Sequence, residues 1–148
     1  MEGVGRNEAL ERAIEVEGRR VLREALDVWQ RVKGHKDSML LMEYQEAAQR
    51  TSNTITSDAK LENGLFGLAG EVGEICDLWK KHRFQGHGFD RGRMISELGD
   101  VLWYVVEVAC GLDVSLDVVA HSNIIKLKAR YPEGFEAERS LNRAEGDV

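Results

Sequence analysis

A single proline, Pro132, in 148 residues is the strongest constraint on how this chain can fold. Proline breaks helices and punctuates loops, so its near-absence leaves room for long uninterrupted helices. Apolar residues recur at helical spacing, and β-branched clusters are few. The expectation is an all-α protein, a multi-helix bundle. From about Asn7 to Lys33, Leu10, Ile14, Val21, Leu22, Ala25, Val28, Trp29 and Val32 form one apolar stripe opposite Glu and Arg, and Gly34 is a candidate stop. A second helix is predicted from about Ser38 to Arg50, with Leu40, Leu41, Tyr44, Ala47 and Ala48 inward. The cap- and turn-forming run 51–57 breaks it.

A third helix runs from about Asp58 to His82, followed by a glycine-rich loop at 85–89. Asp90 is the expected N-cap of a helix from Arg91 to Cys110, whose apolar face is Leu98, Val101, Leu102, Val105, Val106 and Ala109, with Gly111 as its stop. Ser115 is the expected cap of a last helix, with Asp117 in its first turn and Val119, Ile124 and Leu127 inward. That helix ends before Pro132, because the residue preceding proline disfavours helix. The tail from Glu133 is polar and reads as irregular.

The length suits one domain, and 43% apolar residues are enough to bury a core. Twenty Lys+Arg against 26 Asp+Glu leave a net charge of −6, the wrong sign for a general binder of nucleic-acid polymers or anionic membranes. No apolar run approaches the roughly 20 residues of a membrane helix. The first residues, Met1-Glu2-Gly3-Val4-Gly5-Arg6, are not followed by an apolar stretch, so no signal peptide is expected. Two separate cysteines, Cys76 and Cys110, form no disulfide framework or zinc motif, which points to a reducing cytoplasm.

Glu71 and Glu74 stand three residues apart on one predicted helix, and Glu97 and Asp100 do so on the next. That spacing puts each pair on one helix face. One such pair alone reads as a solvated face. Here both pairs adjoin apolar residues: Leu68, Ala69, Val72 and Ile75 around the first, Leu98, Val101 and Leu102 around the second. Two helices packed antiparallel would gather four carboxylates, whose repulsion raises their pKa values unless a cation neutralises them. A hard divalent ion such as Mg²⁺ prefers oxygen ligands of this kind. Gly64, Gly67, Gly70 and Gly73 recur every third residue within the first of these helices, at a cost of about 1 kcal/mol each relative to alanine. Close helix packing explains such a stripe. Beside the acids, at Gly70, Gly73 and Gly99, room for metal, water or phosphate is an equal explanation.

Asn123, Lys126 and Arg130 share one face of the last helix. Lys and Arg suit phosphate oxygens, although beside Lys128 the same residues also read as a solvated basic face. Lys80 and Lys81 are equally ambiguous. Trp79 and Trp103 are candidates for base stacking or, for Trp103, for a core or subunit interface. His35, His82, His87 and His121 show no metal-ligand spacing, although His87 lies in the glycine loop. Cys76, Cys110, Phe66 and Tyr44 read as core residues.

Three blocks in order, Gly67-Leu68-Ala69-Gly70-Glu71-Val72-Gly73-Glu74, Glu97-Leu98-Gly99-Asp100-Val101-Leu102-Trp103-Tyr104 and Asn123 through Phe135, resemble MazG-type all-α nucleoside triphosphate pyrophosphohydrolases. The resemblance spans about Met42 to Arg143. It implies a catalytic helical domain over 39–143, with an N-terminal helical extension at 1–38 and a polar tail at 144–148. It also implies hydrolysis between the α and β phosphates to a monophosphate and pyrophosphate. By the same resemblance Glu71, Glu74, Glu97 and Asp100 are catalytic and bind Mg²⁺, or Mn²⁺, and Asn123, Lys126 and Arg130 contact the triphosphate. A homodimer or homotetramer is implied, because a second subunit commonly completes such bundles. Two other functions compete: a phosphoribosyl-ATP pyrophosphohydrolase, similar in its acidic motifs, and a non-catalytic nucleotide-binding helical module, to which the long amphipathic N-terminus would suit.

Overall fold

The computed structural model describes residues 39–142 together with Arg20 and Arg23, both of them helical. Apart from those two residues, the helix expected from Asn7 to Lys33 and the rest of the 1–38 extension lie outside the described residues, as do 143–148. Among the described residues every regular element is a helix: α1 Leu41–Gln49, α2 Ser57–Gln85, α3 Arg91–Gly111, α4 Leu116–Arg130 and α5 Ala137–Leu141. No described helix is long and apolar enough to cross a membrane.

Local chemistry sets the boundaries. The Thr56 side chain accepts a hydrogen bond from the Ala59 backbone N–H (3.2 Å), Asp90 accepts from Arg93 N–H (2.9 Å) and Ser115 from Val118 N–H (3.3 Å). Each satisfies one donor that the first helical turn leaves unpaired. Gly86 ends α2 in the left-handed conformation, at φ 76°, a geometry that costs glycine little. The helix before Pro132 stops at Arg130, as expected. Two boundaries differ from the expectation. Gly111 forms the last residue of α3 instead of following it, and Leu61 of α2 crosses so close there that an added Cβ would lie 2.9 Å from the Leu61 backbone nitrogen. The tail beyond Glu133 includes the short helix α5 instead of being wholly irregular.

α2 and α3 form the frame. They are joined by five residues and run antiparallel: Leu61 lies at Gly111, Gly64 at Val108, Gly67 at Tyr104 and Glu71 at Glu97 and Asp100. The glycine stripe makes this approach possible. A Cβ on Gly64 would sit 2.6 Å from Val108 Cγ2 and 2.9 Å from the Val108 backbone nitrogen, and one on Gly67 would sit inside the Tyr104 ring. At Gly70, Gly73 and Gly99, beside the acids, an added Cβ would meet nothing within 4 Å.

The core occupies one end of this hairpin. Ala48, Val106, Ala109 and Leu116 are buried, with Tyr44, Trp103, Val105, Cys110 and Val114 packed around them. Gln45 fastens α1 and α4 together, accepting from the Leu116 N–H (2.7 Å) and donating to the Val114 carbonyl (3.4 Å). The Trp103 indole N–H donates to Thr51 Oγ1 (2.8 Å). Within the same end lies a wholly buried carboxylate, Glu107. It accepts hydrogen bonds from Gln49 (2.8 Å), Ser52 (2.8 Å) and Thr54, and faces Lys60 Nζ at 3.7 Å. This network straps the segment between α1 and α2 onto α3.

The other end is open. Leu65, Phe66, Val72, Leu98 and Leu102 are exposed, with Phe66 at 78%, so Phe66 is not a core residue of the single chain. Leu40, Leu41, Val119, Ile124 and Leu127, expected inward, are exposed too. So are Ala47 and Cys76. These positions were expected to face inward, but nothing within the described residues covers them.

Candidate metal centre

The antiparallel pairing of α2 and α3 brings together acids that lie on consecutive helices. One carboxylate oxygen from each of Glu71, Glu97 and Asp100 lies within 4.8 Å of the others. Glu71 and Glu97 are half-buried and Asp100 is exposed. Burial raises the Glu71 pKa, and the neighbouring charges of Asp100, Glu97 and Glu74, with a hydrogen bond to Glu97, raise it further. Burial together with the crowding of like charges holds the Glu71 carboxyl above its ordinary range. An all-oxygen, like-charged set of this kind fits a hard divalent ion.

Glu74 stands outside that trio, one helical turn nearer the 86–90 loop. Its neighbour is Arg93, whose Nη2 lies 3.8 Å from Glu74 Oε2 and whose Nε lies 3.4 Å from Glu97 Oε1. Arg93 also lines a cavity of about 340 Å³, together with Leu78, Lys81, His87, Gly88, Phe89 and Asp90. Beside it Trp79, His82 and Phe89 form a triangle of rings, with centroids 5.5 to 5.8 Å apart. His82 Nδ1 lies 3.0 Å from the His87 carbonyl and ties the loop to α2. Lys80 and Lys81 both pair with Asp77, Lys81 at 2.6 Å, and hold its carboxyl down at a pKa of about 2.

α4 packs on α1 and α3, and Asn123 and Lys126 are exposed. Among the described residues no hydrogen bond or ion pair joins either one to the carboxylates. Arg130 is half-buried in the last turn. One chain therefore assembles the acidic part of the expected site, with Glu74 adjoining it, and leaves Asn123 and Lys126 unengaged there.

Two residues that matter to this geometry were not singled out from the sequence. Arg93 was visible as the i,i+4 partner of Glu97. Glu107 was visible as a charge between Val106 and Val108 on an otherwise apolar face.

Comparison with known proteins follows the same region. The family model for the MazG nucleotide pyrophosphohydrolase domain matches residues 60–135, which include both acidic pairs and α4. The chain is 42% identical over 81 residues to the gene 37 protein of Mycobacterium phage L5, an alignment covering 52% of this chain and 71% of the phage protein. No solved structure matches the chain.

Proposed function

From the premise that this chain belongs to the MazG nucleotide pyrophosphohydrolase family, we propose that it hydrolyses (d)NTPs between the α and β phosphates, giving the (d)NMP and pyrophosphate. The observation that carries this reading is the convergence of Glu71, Glu97 and Asp100 to within 4.8 Å, with Glu74 alongside. In this reading these four carboxylates hold Mg²⁺ or Mn²⁺, which supplies Lewis-acid stabilisation and a more acidic water. The carboxylates also orient that water toward the anhydride.

Asn123, Lys126 and Arg130 are assigned to the triphosphate oxygens. Because α4 packs on α1 and α3 of its own chain, they are proposed to serve a site shared with a second copy, in a homodimer or homotetramer. The uncovered apolar residues beside the acids (Leu65, Phe66, Val72, Leu98 and Leu102) and on α4 (Val118, Val119, Ile124 and Ile125) support that assembly. The unpaired thiols Cys76 and Cys110 suit a cytoplasmic setting, and the acidic balance suits a small nucleotide better than a nucleic-acid polymer or membrane surface.

The test is pyrophosphate release from each common (d)NTP, dUTP, several damaged nucleotides and phosphoribosyl-ATP, with Mg²⁺ and with EDTA. Wild type is run beside Glu74→Ala and Asp100→Ala. Metal-dependent release that both substitutions abolish is expected. A folded, metal-loaded protein inactive on every triphosphate refutes the reading, and activity confined to phosphoribosyl-ATP transfers it to that substrate.

A further inference from the structure

Arg93 belongs to two neighbourhoods at once. Its guanidinium spans Glu97 on its own helix and Glu74 across the hairpin, at 3.4 and 3.8 Å. The same side chain forms part of the wall of the 340 Å³ cavity that opens toward the 86–90 loop. Its backbone N–H is already held by Asp90, so the main chain stays fixed while the side chain is free to change partners. That side chain is 46% exposed, and Glu74 is more exposed still, so the ion pair is cheap to break.

A divalent cation on Glu74 and Glu97 would compete with Arg93 for those carboxylate oxygens, and repulsion between the two positive groups would loosen the guanidinium's hold. The cavity whose wall Arg93 already forms can receive a displaced guanidinium. A second cation is waiting there: Lys81 spends one contact on Asp77 and keeps further donors. The one acid in the wall, Asp90, already caps α3. An arginine fork beside an ammonium is a recognised arrangement for phosphate oxygens.

We propose that Arg93 exchanges partners: it holds Glu74 and Glu97 when the carboxylates carry no cation, and turns into the adjoining cavity to bind pyrophosphate oxygens with Lys81 when they do. This rests on reading the carboxylates as a cation site, and it adds a subsite for the departing half of the substrate.

The full chain is titrated with Mn²⁺ alone, followed by electron paramagnetic resonance, and with inorganic pyrophosphate in saturating Mg²⁺, followed by calorimetry. For Arg93→Gln, Mn²⁺ is expected to bind about two- to fivefold more tightly, because a competitor is gone. Pyrophosphate is expected to bind about tenfold or more weakly. Lys81→Gln weakens pyrophosphate alone. Lys80→Gln, which removes an equal charge from Asp77 but not from the cavity wall, leaves both unchanged. Wild-type pyrophosphate affinity in Arg93→Gln overturns the proposal, and so does weakened Mn²⁺ binding. The two readings fail separately. The expected binding pattern in a chain that releases no pyrophosphate from any triphosphate refutes the proposed reaction alone. Turnover with unaltered pyrophosphate affinity in Arg93→Gln refutes the subsite alone.

Discussion

Replacing Gly64 and Gly70 by alanine, one at a time, is the most direct test of the hairpin geometry. Both lie within α2, six residues apart, so the intrinsic helix preference favours alanine at each by about 1 kcal/mol. At Gly70 nothing opposes that gain, since an added methyl meets no atom within 4 Å. At Gly64 the methyl would lie 2.6 Å from Val108 Cγ2 and 2.9 Å from the Val108 backbone nitrogen. The second contact is decisive: a side chain can rotate away, but a backbone nitrogen moves only if α3 moves. Overpacking of this kind costs about 1–3 kcal/mol, and forcing two helices apart belongs at the upper end. Gly64→Ala should therefore lose roughly 1–2 kcal/mol net, and Gly70→Ala should gain about 0.5–1 kcal/mol. At about 2–4 °C per kcal/mol for a chain of this size, a difference of about 1.5–3 kcal/mol should separate the melting temperatures by roughly 3–12 °C. The assay is thermal and urea denaturation in EDTA at one fixed protein concentration. Equal stability of the two variants would refute the close approach at Gly64.

Three further outcomes follow from other contacts. Glu107→Ala should cost about 3–5 kcal/mol, because Gln49, Ser52 and Thr54 lose their common acceptor and Lys60 its ion-pair partner, whereas Glu107→Gln should cost less. Burial alone would raise the Glu107 pKa, but the hydrogen bonds and Lys60 bring it below the ordinary 4.5, so its contribution is complete above that value and lost as pH falls through the lower folded value; acid unfolding of wild type beside Glu107→Gln measures it. Glu71 has the opposite sign: its folded pKa is raised, so without cation the cluster loses stability as pH climbs from 4.5 through that raised value, and Asp100→Asn should raise the melting temperature in EDTA while removing the stabilisation by Mg²⁺. Phe66→Glu, at a position 78% exposed in the single chain, should lower the mass seen by light scattering without disturbing helix content; an unchanged mass would show that this face is not an interface.

The features legible in the sequence were those set by near neighbours. Thr56 lay in the turn-forming run and Asp90 and Ser115 announced themselves as caps, because capping is a contact over two or three residues. The acidic pairs were legible for the same reason: i,i+3 spacing decides which face a side chain takes. What covers a face is a tertiary fact, and there the reading stopped. Phe66, Leu98, Ile124 and Leu127 were placed inward because their periodicity demanded an apolar neighbour, but the described chain supplies none. Gly111 was read as a helix stop by its local conformational freedom, whereas its task is to admit Leu61 from a helix 50 residues earlier. Glu107 went unremarked because its partners come from residues 49–60, a segment that looked like a simple break between helices. The candidate site was legible in its acidic cluster, whereas Asn123 and Lys126 on α4 are exposed and make no hydrogen bond or ion pair to those acids among the described residues.

The short link between α2 and α3 has a kinetic consequence. All four carboxylates fall between residues 71 and 100, on helices that meet through a five-residue loop, so the site is made of contacts close in sequence. Such contacts close early, before the strap to Glu107 or the docking of α4 is needed. The carboxylates are therefore expected to meet, and repel, while much of the chain is still unfolded. A divalent cation then acts on the folding barrier itself: it should quicken refolding more than it slows unfolding. The barrier would be lowest where the ion is plentiful, and an ion held for the proposed chemistry would also help the chain reach its shape.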